Sequence, residues 1–126
     1  MRKIVFIVVF FAFVISINAQ KFTYNKVVSG VNVLKINGTI SFTDSLIYIT
    51  GKDFETKMPV KVTLKNDLIT QYKTKITKDT YSDDIRLSLT KDAMSKNGGY
   101  VFIMEVKDNF SGSYQATTYF LLPAKN

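Results

Sequence analysis

The chain has 126 residues, with 17 basic and 10 acidic side chains and no Cys, His or Trp. Without Cys there is no disulfide framework. Without His or Cys, the Ser-His-Asp and Cys-His nucleophile arrangements and the usual zinc sites are excluded. A formal net charge of +7 is moderate and by itself mainly keeps the chain soluble.

Residues 1–19 read as a cleaved signal peptide. Arg2 and Lys3 precede an unbroken apolar run over residues 4–15, and the small residue Ala19 stands before Gln20. The run is shorter than the roughly 20 apolar residues of a membrane span. No Cys follows it, so lipid anchoring by the lipoprotein route is not expected. The Asn18-Ala19-Gln20 junction resembles the end of signal peptides on exported bacterial proteins. The sequence therefore predicts an exported protein, periplasmic or secreted, with no transmembrane segment after cleavage. Residues 20–126 then form one domain. Arg2 and Lys3 take two of the 17 basic charges with them, so this domain carries +5 against its 10 acidic residues.

From Phe22 onward the pattern alternates with period two, and Val, Ile, Thr, Tyr and Phe dominate, as in half-buried strands. The first strand is predicted over 22–28, closed by Ser29-Gly30, and the second over 31–36. Asn37-Gly38 reads as a hairpin turn with Gly38 in the left-handed region. Asp44-Ser45 reads as a two-residue hairpin that sets Phe42 opposite Ile47 and Ile40 opposite Ile49. Over 58–65, Val60, Val62 and Leu64 are predicted to face in, with Lys61, Thr63 and Lys65 facing out. Asn66-Asp67 turns the chain into a longer strand over 68–77, with Tyr72 on one side and Lys73 and Lys75 on the other. Ile85, Leu87 and Leu89 alternate with Arg86, Ser88 and Thr90. One short helix is predicted at most, near 91–97, between Thr90 as N-cap and Gly98-Gly99. Strands over 100–106 and 114–122 complete the chain, the last ended by Pro123.

Eight or nine strands with short connections predict an all-β antiparallel meander. A closed barrel removes sheet edges, so a small up-and-down barrel is expected, with an immunoglobulin-like sandwich as the alternative. In strand count and spacing the outline resembles the lipocalins. Their early Gly-x-Trp is missing, and no ligand or partner of theirs carries over.

Lys61, Lys65, Lys73 and Lys75 are expected on one outward sheet face, where they would attract an anionic polymer or surface. Clustering is required, because fields decay over about 8 Å at physiological salt. Nucleic acid is disfavoured, since Arg86 is the sole arginine after residue 19 and binders of that class add arginine forks or exposed rings. The predicted interior comprises Ile40, Phe42, Ile47, Val60, Val62, Tyr72, Leu87, Phe102, Met104 and Phe120. It is expected to be filled, the alternative being a carrier of a small apolar ligand. Ser88 and Lys91 have the Ser-x-x-Lys spacing, but Ser88 falls on a predicted strand, where residues three apart point to opposite faces, so no catalytic residue is assigned. Asp79, Asp83 and Asp84 lack calcium-loop spacing, so no metal or cofactor is expected. Asp44-Ser45-Leu46 resembles an O-glycosylation acceptor of exported bacterial proteins, with Ser45 as the acceptor. The reading is a non-enzymatic binding or interaction module, with the carrier second and an enzyme third.

Overall fold

The structure is a computed structural model that describes residues 20–92 and 98–123. The predicted signal peptide and residues 93–97 of the predicted helix lie outside the described residues. Ten strands follow one another: β1 (Gln20–Ser29), β2 (Asn32–Leu34), β3 (Gly38–Phe42), β4 (Leu46–Thr50), β5 (Glu55–Lys65), β6 (Ile69–Thr77), β7 (Thr80–Tyr81), β8 (Ile85–Lys91), β9 (Tyr100–Lys107) and β10 (Tyr114–Pro123). Lys91 pairs with Tyr100 as the end of β8, so no helix begins at that residue.

Eight strands run antiparallel in the order β1-β3-β4-β5-β6-β8-β9-β10, and β10 returns to pair with β1. The all-β meander is therefore a closed barrel, and the sandwich alternative falls. Short β2 and β7 are extra strands on β1 and β6. Pro59 sits within β5 where that strand changes partner. Residues 55–59 pair with β4 and residues 60–65 with β6, so the missing N–H falls at the break between two ladders.

The Asp44-Ser45 hairpin forms in the expected register, with Phe42 opposite Ile47 and Ile40 opposite Ile49. Thr43 holds it. Its Oγ1 accepts from the amides of Ser45 and Leu46, and its amide donates to the Leu46 carbonyl at 2.9 Å. The expected Asn37-Gly38 hairpin does not form. β2 and β3 both pair with β1, in the same direction, with residues 35–37 arching between them. Gly38 has no positive φ; those of the described glycines that do are Gly30, Gly98 and Gly112. Glycine is needed at 38 for space, because a Cβ there would collide with the Tyr24 ring and the Thr50 carbonyl. Tyr24 crosses Gly38 and donates its hydroxyl to Thr50 O at 2.8 Å.

Two bulges reset which residues face in. Asn25 is an extra residue in β1 opposite β10, so Tyr24 and Val27 are both buried although three apart. Thr63 is an extra residue in β5. It turns Leu64 outward opposite Gln71, 45% exposed, against the inward position expected from alternation. Phe120 is likewise outside, with the Lys26 ammonium 4.8 Å from its ring centre. Tyr119 and Leu121 take the inward places in β10, Tyr119 opposite Phe102.

The other nine predicted interior residues belong to the core or pack against it. Aromatic rings occupy its centre in one connected group. Phe42 lies 5.2 Å from Phe102, 5.7 Å from Phe22 and 6.1 Å from Tyr72, centre to centre. Tyr119 links Phe102 to Tyr24, and Phe22 reaches Tyr100 at 5.0 Å. Offset and edge-to-face contacts at these separations are favourable beyond the area they bury.

Burial also shapes the alkaline limb of stability. It pushes the Tyr72 phenol up to about 12, with the nearby Asp44 carboxylate adding to the effect. Burial raises Tyr24 and Tyr119 as well. The folded state thus favours the neutral phenols. Their contribution is fully present below the unfolded tyrosine value of about 10 and is lost as pH rises through the folded value. Urea stability is expected to fall between about pH 10 and 12, by on the order of 2 kcal/mol from Tyr72 after allowance for solvent screening. Tyr72→Phe should flatten that limb, and an unchanged pH dependence would remove Tyr72 as its source.

Candidate functional site

Alternation in β5 and β6 turns Lys61 and Lys73 outward, directly opposite one another. Lys75, two residues along β6 from Lys73, shares that face. Like charges in this arrangement repel, and the next segment of chain offsets them. β7 and residues 82–84 bring Asp83 to 2.9 Å from Lys73 Nζ, and the Tyr81 ring centre to 5.2 Å from Lys61 Nζ. Lys65 does not join them. The Thr63 bulge reverses its direction, and it reaches Asp44 at 3.7 Å beside the β3–β4 turn. The structure therefore gathers three of the four predicted lysines.

Arg86 adds a cation that the sequence reading left out of the patch. It leads the outward positions of β8, and Ser88 follows it opposite Gln71 of β6. Its guanidinium carbon lies 3.8 Å from the Tyr114 ring centre, a stacking distance. The β8 alternation was the available signal for Arg86, but its nearness to Lys73 depends on β6 pairing with β8 across the 82–84 excursion. Glu105 stands opposite Arg86 in the β8–β9 register. Among the described residues the ion pairs are Lys65–Asp44 and Lys73–Asp83, so Arg86 turns to Tyr114 instead and Glu105 keeps an open carboxylate.

Between residues 82–84 and this face runs a groove of about 500 Å³. Gln71 and Ser88 form its floor, and Lys73, Asp83, Arg86 and Glu105 its walls. Cations, carboxylates and neutral hydrogen-bonding groups thus converge within reach of one ligand. Lys73 and Arg86 donate only, Glu105 accepts, and Gln71 and Ser88 do both. Such a set suits a ligand carrying acidic groups among hydroxyls. One face of Tyr81 is taken by Lys61 and one face of Tyr114 by Arg86, so neither ring stands clear as a stacking platform for a base.

Ser45 is exposed at the tip of its turn, where its backbone is fixed by the Thr43 contacts and by Val60 N donating to Ser45 O at 2.9 Å. A modifying enzyme could reach its hydroxyl. Among the described residues no group of three or more acidic side chains is placed to hold a metal ion. No protein-family model, curated protein or solved structure matches the chain.

Proposed function

We propose that the chain is an exported, non-enzymatic binding module that holds an acidic polysaccharide on the outward face of β5, β6 and β8. The observation that carries this reading is the groove in which Lys73 and Arg86 meet Gln71, Ser88 and Glu105, with Lys61 opposite Lys73 and Lys75 two residues along β6 on the same sheet face. Carboxylate or sulfate groups on the sugar pair with the cations, and its hydroxyls donate to Glu105. Nucleic acid is the poorer partner, since one arginine and two tyrosines each taken on one face offer neither forks nor stacking platforms. Carriage of a small apolar ligand has less support, because contacting aromatic rings occupy the barrel interior.

Retention on a sulfated or uronic-acid polysaccharide matrix tests the reading. The protein should bind at low salt and elute between roughly 0.05 and 0.5 M, while passing freely over a neutral glucan. Gln at positions 61, 73, 75 and 86 together should abolish retention. Lys65→Gln should behave as the parent, because Lys65 lies apart. Asp83→Asn should elute later, since it frees Lys73. Full retention of the quadruple variant sinks the proposal.

A further inference from the structure

The barrel leaves backbone edges free where neighbouring strands differ in reach, and two such stretches contrast sharply. In β5, residues 61–65 run past the end of β4, whose pairing stops at Leu46 opposite Pro59. That stretch carries Lys61, Lys65 and the Thr63 bulge, devices that discourage another strand from adding. At the opposite end of the barrel, β2 pairs with β1 only among the described residues. The β3–β4 ladder stops at Thr39 opposite Thr50, so β2 and residues 35–37 run on beyond it. Here the protective devices are sparse. Val31 is 96% exposed and Val33 56%, and Leu34 and Ile36 are exposed as well. All three residues of β2 are exposed, so neither of its faces packs on the core.

Across from this edge, the turn at residues 51–54 forms the second wall of a groove of about 770 Å³. Gly51 N donates to Phe54 O at 2.9 Å, and the Phe54 ring folds back over Gly51, where a Cβ would collide with it. Phe54 thereby stands half-exposed across from Ile36. Lys35 stands on one wall and Lys52 on the other, with Asp53 the acidic group present. The groove thus begins where β2 ends, with Ile36 and Phe54 among its lining and a cation on each wall, while the β2 edge continues past it.

We infer that β2 is an acceptor edge for an extended segment of a partner protein, one that alternates apolar side chains with acidic ones. The segment continues the line of β4 and runs antiparallel to β2. Its backbone bonds to the free edge, its apolar side chains cover Val33, Ile36 and Phe54, and its carboxylates meet Lys35 and Lys52. This site is separate from the polysaccharide face, and neither depends on the other.

The experiment uses the full mature chain and a synthetic extended peptide that alternates valine with glutamate and threonine. Hydrogen exchange is read at the amides of residues 32–36. The peptide is expected to slow exchange there by about tenfold or more, with amides on the polysaccharide face unaffected. Val33→Lys and Ile36→Lys each place a charge on the edge at exposed positions, so the barrel persists and the protection should vanish. A peptide with lysine in place of glutamate should give none. Unchanged exchange at saturating peptide overturns the inference, as does equal protection by the lysine peptide. Concentration-dependent dimerisation that protects the same amides without peptide also overturns it, by assigning the edge to a second copy of the chain.

Discussion

Replacing Phe42 with alanine should destabilise the barrel by about 3–5 kcal/mol. Phe42 is fully buried, and its ring touches Phe22, Tyr72 and Phe102, which arrive from β1, β6 and β9. Removing it takes contacts from three other strands at once and leaves a hole that aromatic neighbours fill poorly. Domains of this size are stable by roughly 5–15 kcal/mol, so the variant should be marginal or unfolded at ambient temperature. Phe110→Ala makes the control. That side chain is fully exposed in the β9–β10 loop, and its loss should stay within about 0.5 kcal/mol. Urea midpoints for the two variants measure the difference. Similar midpoints would mean that the ring group is not the centre of the core.

Gly38→Ala should also be costly, by about 2–4 kcal/mol. Its methyl group would press on the Thr50 carbonyl as well as the Tyr24 ring, and overpacking of this kind costs roughly 1–3 kcal/mol. Displacing Tyr24 loses its hydrogen bond to Thr50 O, worth about 1 kcal/mol. An ordinary strand glycine would behave oppositely, since alanine there reduces the entropy of the unfolded chain and stabilises. Tyr24→Phe isolates the hydrogen bond and should cost about 1 kcal/mol alone. Thermal or urea unfolding of the three proteins decides it, and a neutral or stabilising Gly38→Ala would contradict the close approach.

The same glycine marks where the sequence ceased to be legible. Asp44-Ser45 could be read because both of its flanking strands alternate and only a two-residue loop aligns their apolar faces. Asn37-Gly38 has equally good turn chemistry, yet its glycine answers to a tyrosine fourteen residues upstream that the fold lays across it. Local pattern does not carry such tertiary requirements. The bulges at Asn25 and Thr63 were hidden for a related reason. Each shifts inside and outside by one step, and that shift separated Lys65 from the other lysines and turned Leu64 outward. Phe120 was misplaced because 119–121 is apolar on both faces, and only pairing with β1 and β9 decides which residues turn in. On the candidate face, the three clustered lysines followed from alternation. Arg86 and Glu105 required knowing that β8 follows β6 in the ring.

The seam of the barrel has a consequence for timing. The first and last strands close the ring, with Phe22 opposite Pro123, roughly a hundred residues away along the chain. Local hairpins such as β3–β4 can form early, but loop-closure entropy delays the joining of the two ends. A growing chain, made from its N-terminus, cannot complete the ring until β10 exists. Until then β1 lacks one neighbour and the aromatic centre lacks Tyr119. Export, which the sequence predicts, would gain from that delay, because an unclosed barrel is still a thread that can be passed across a membrane. Arrival of the final strand would then act as the signal to fold.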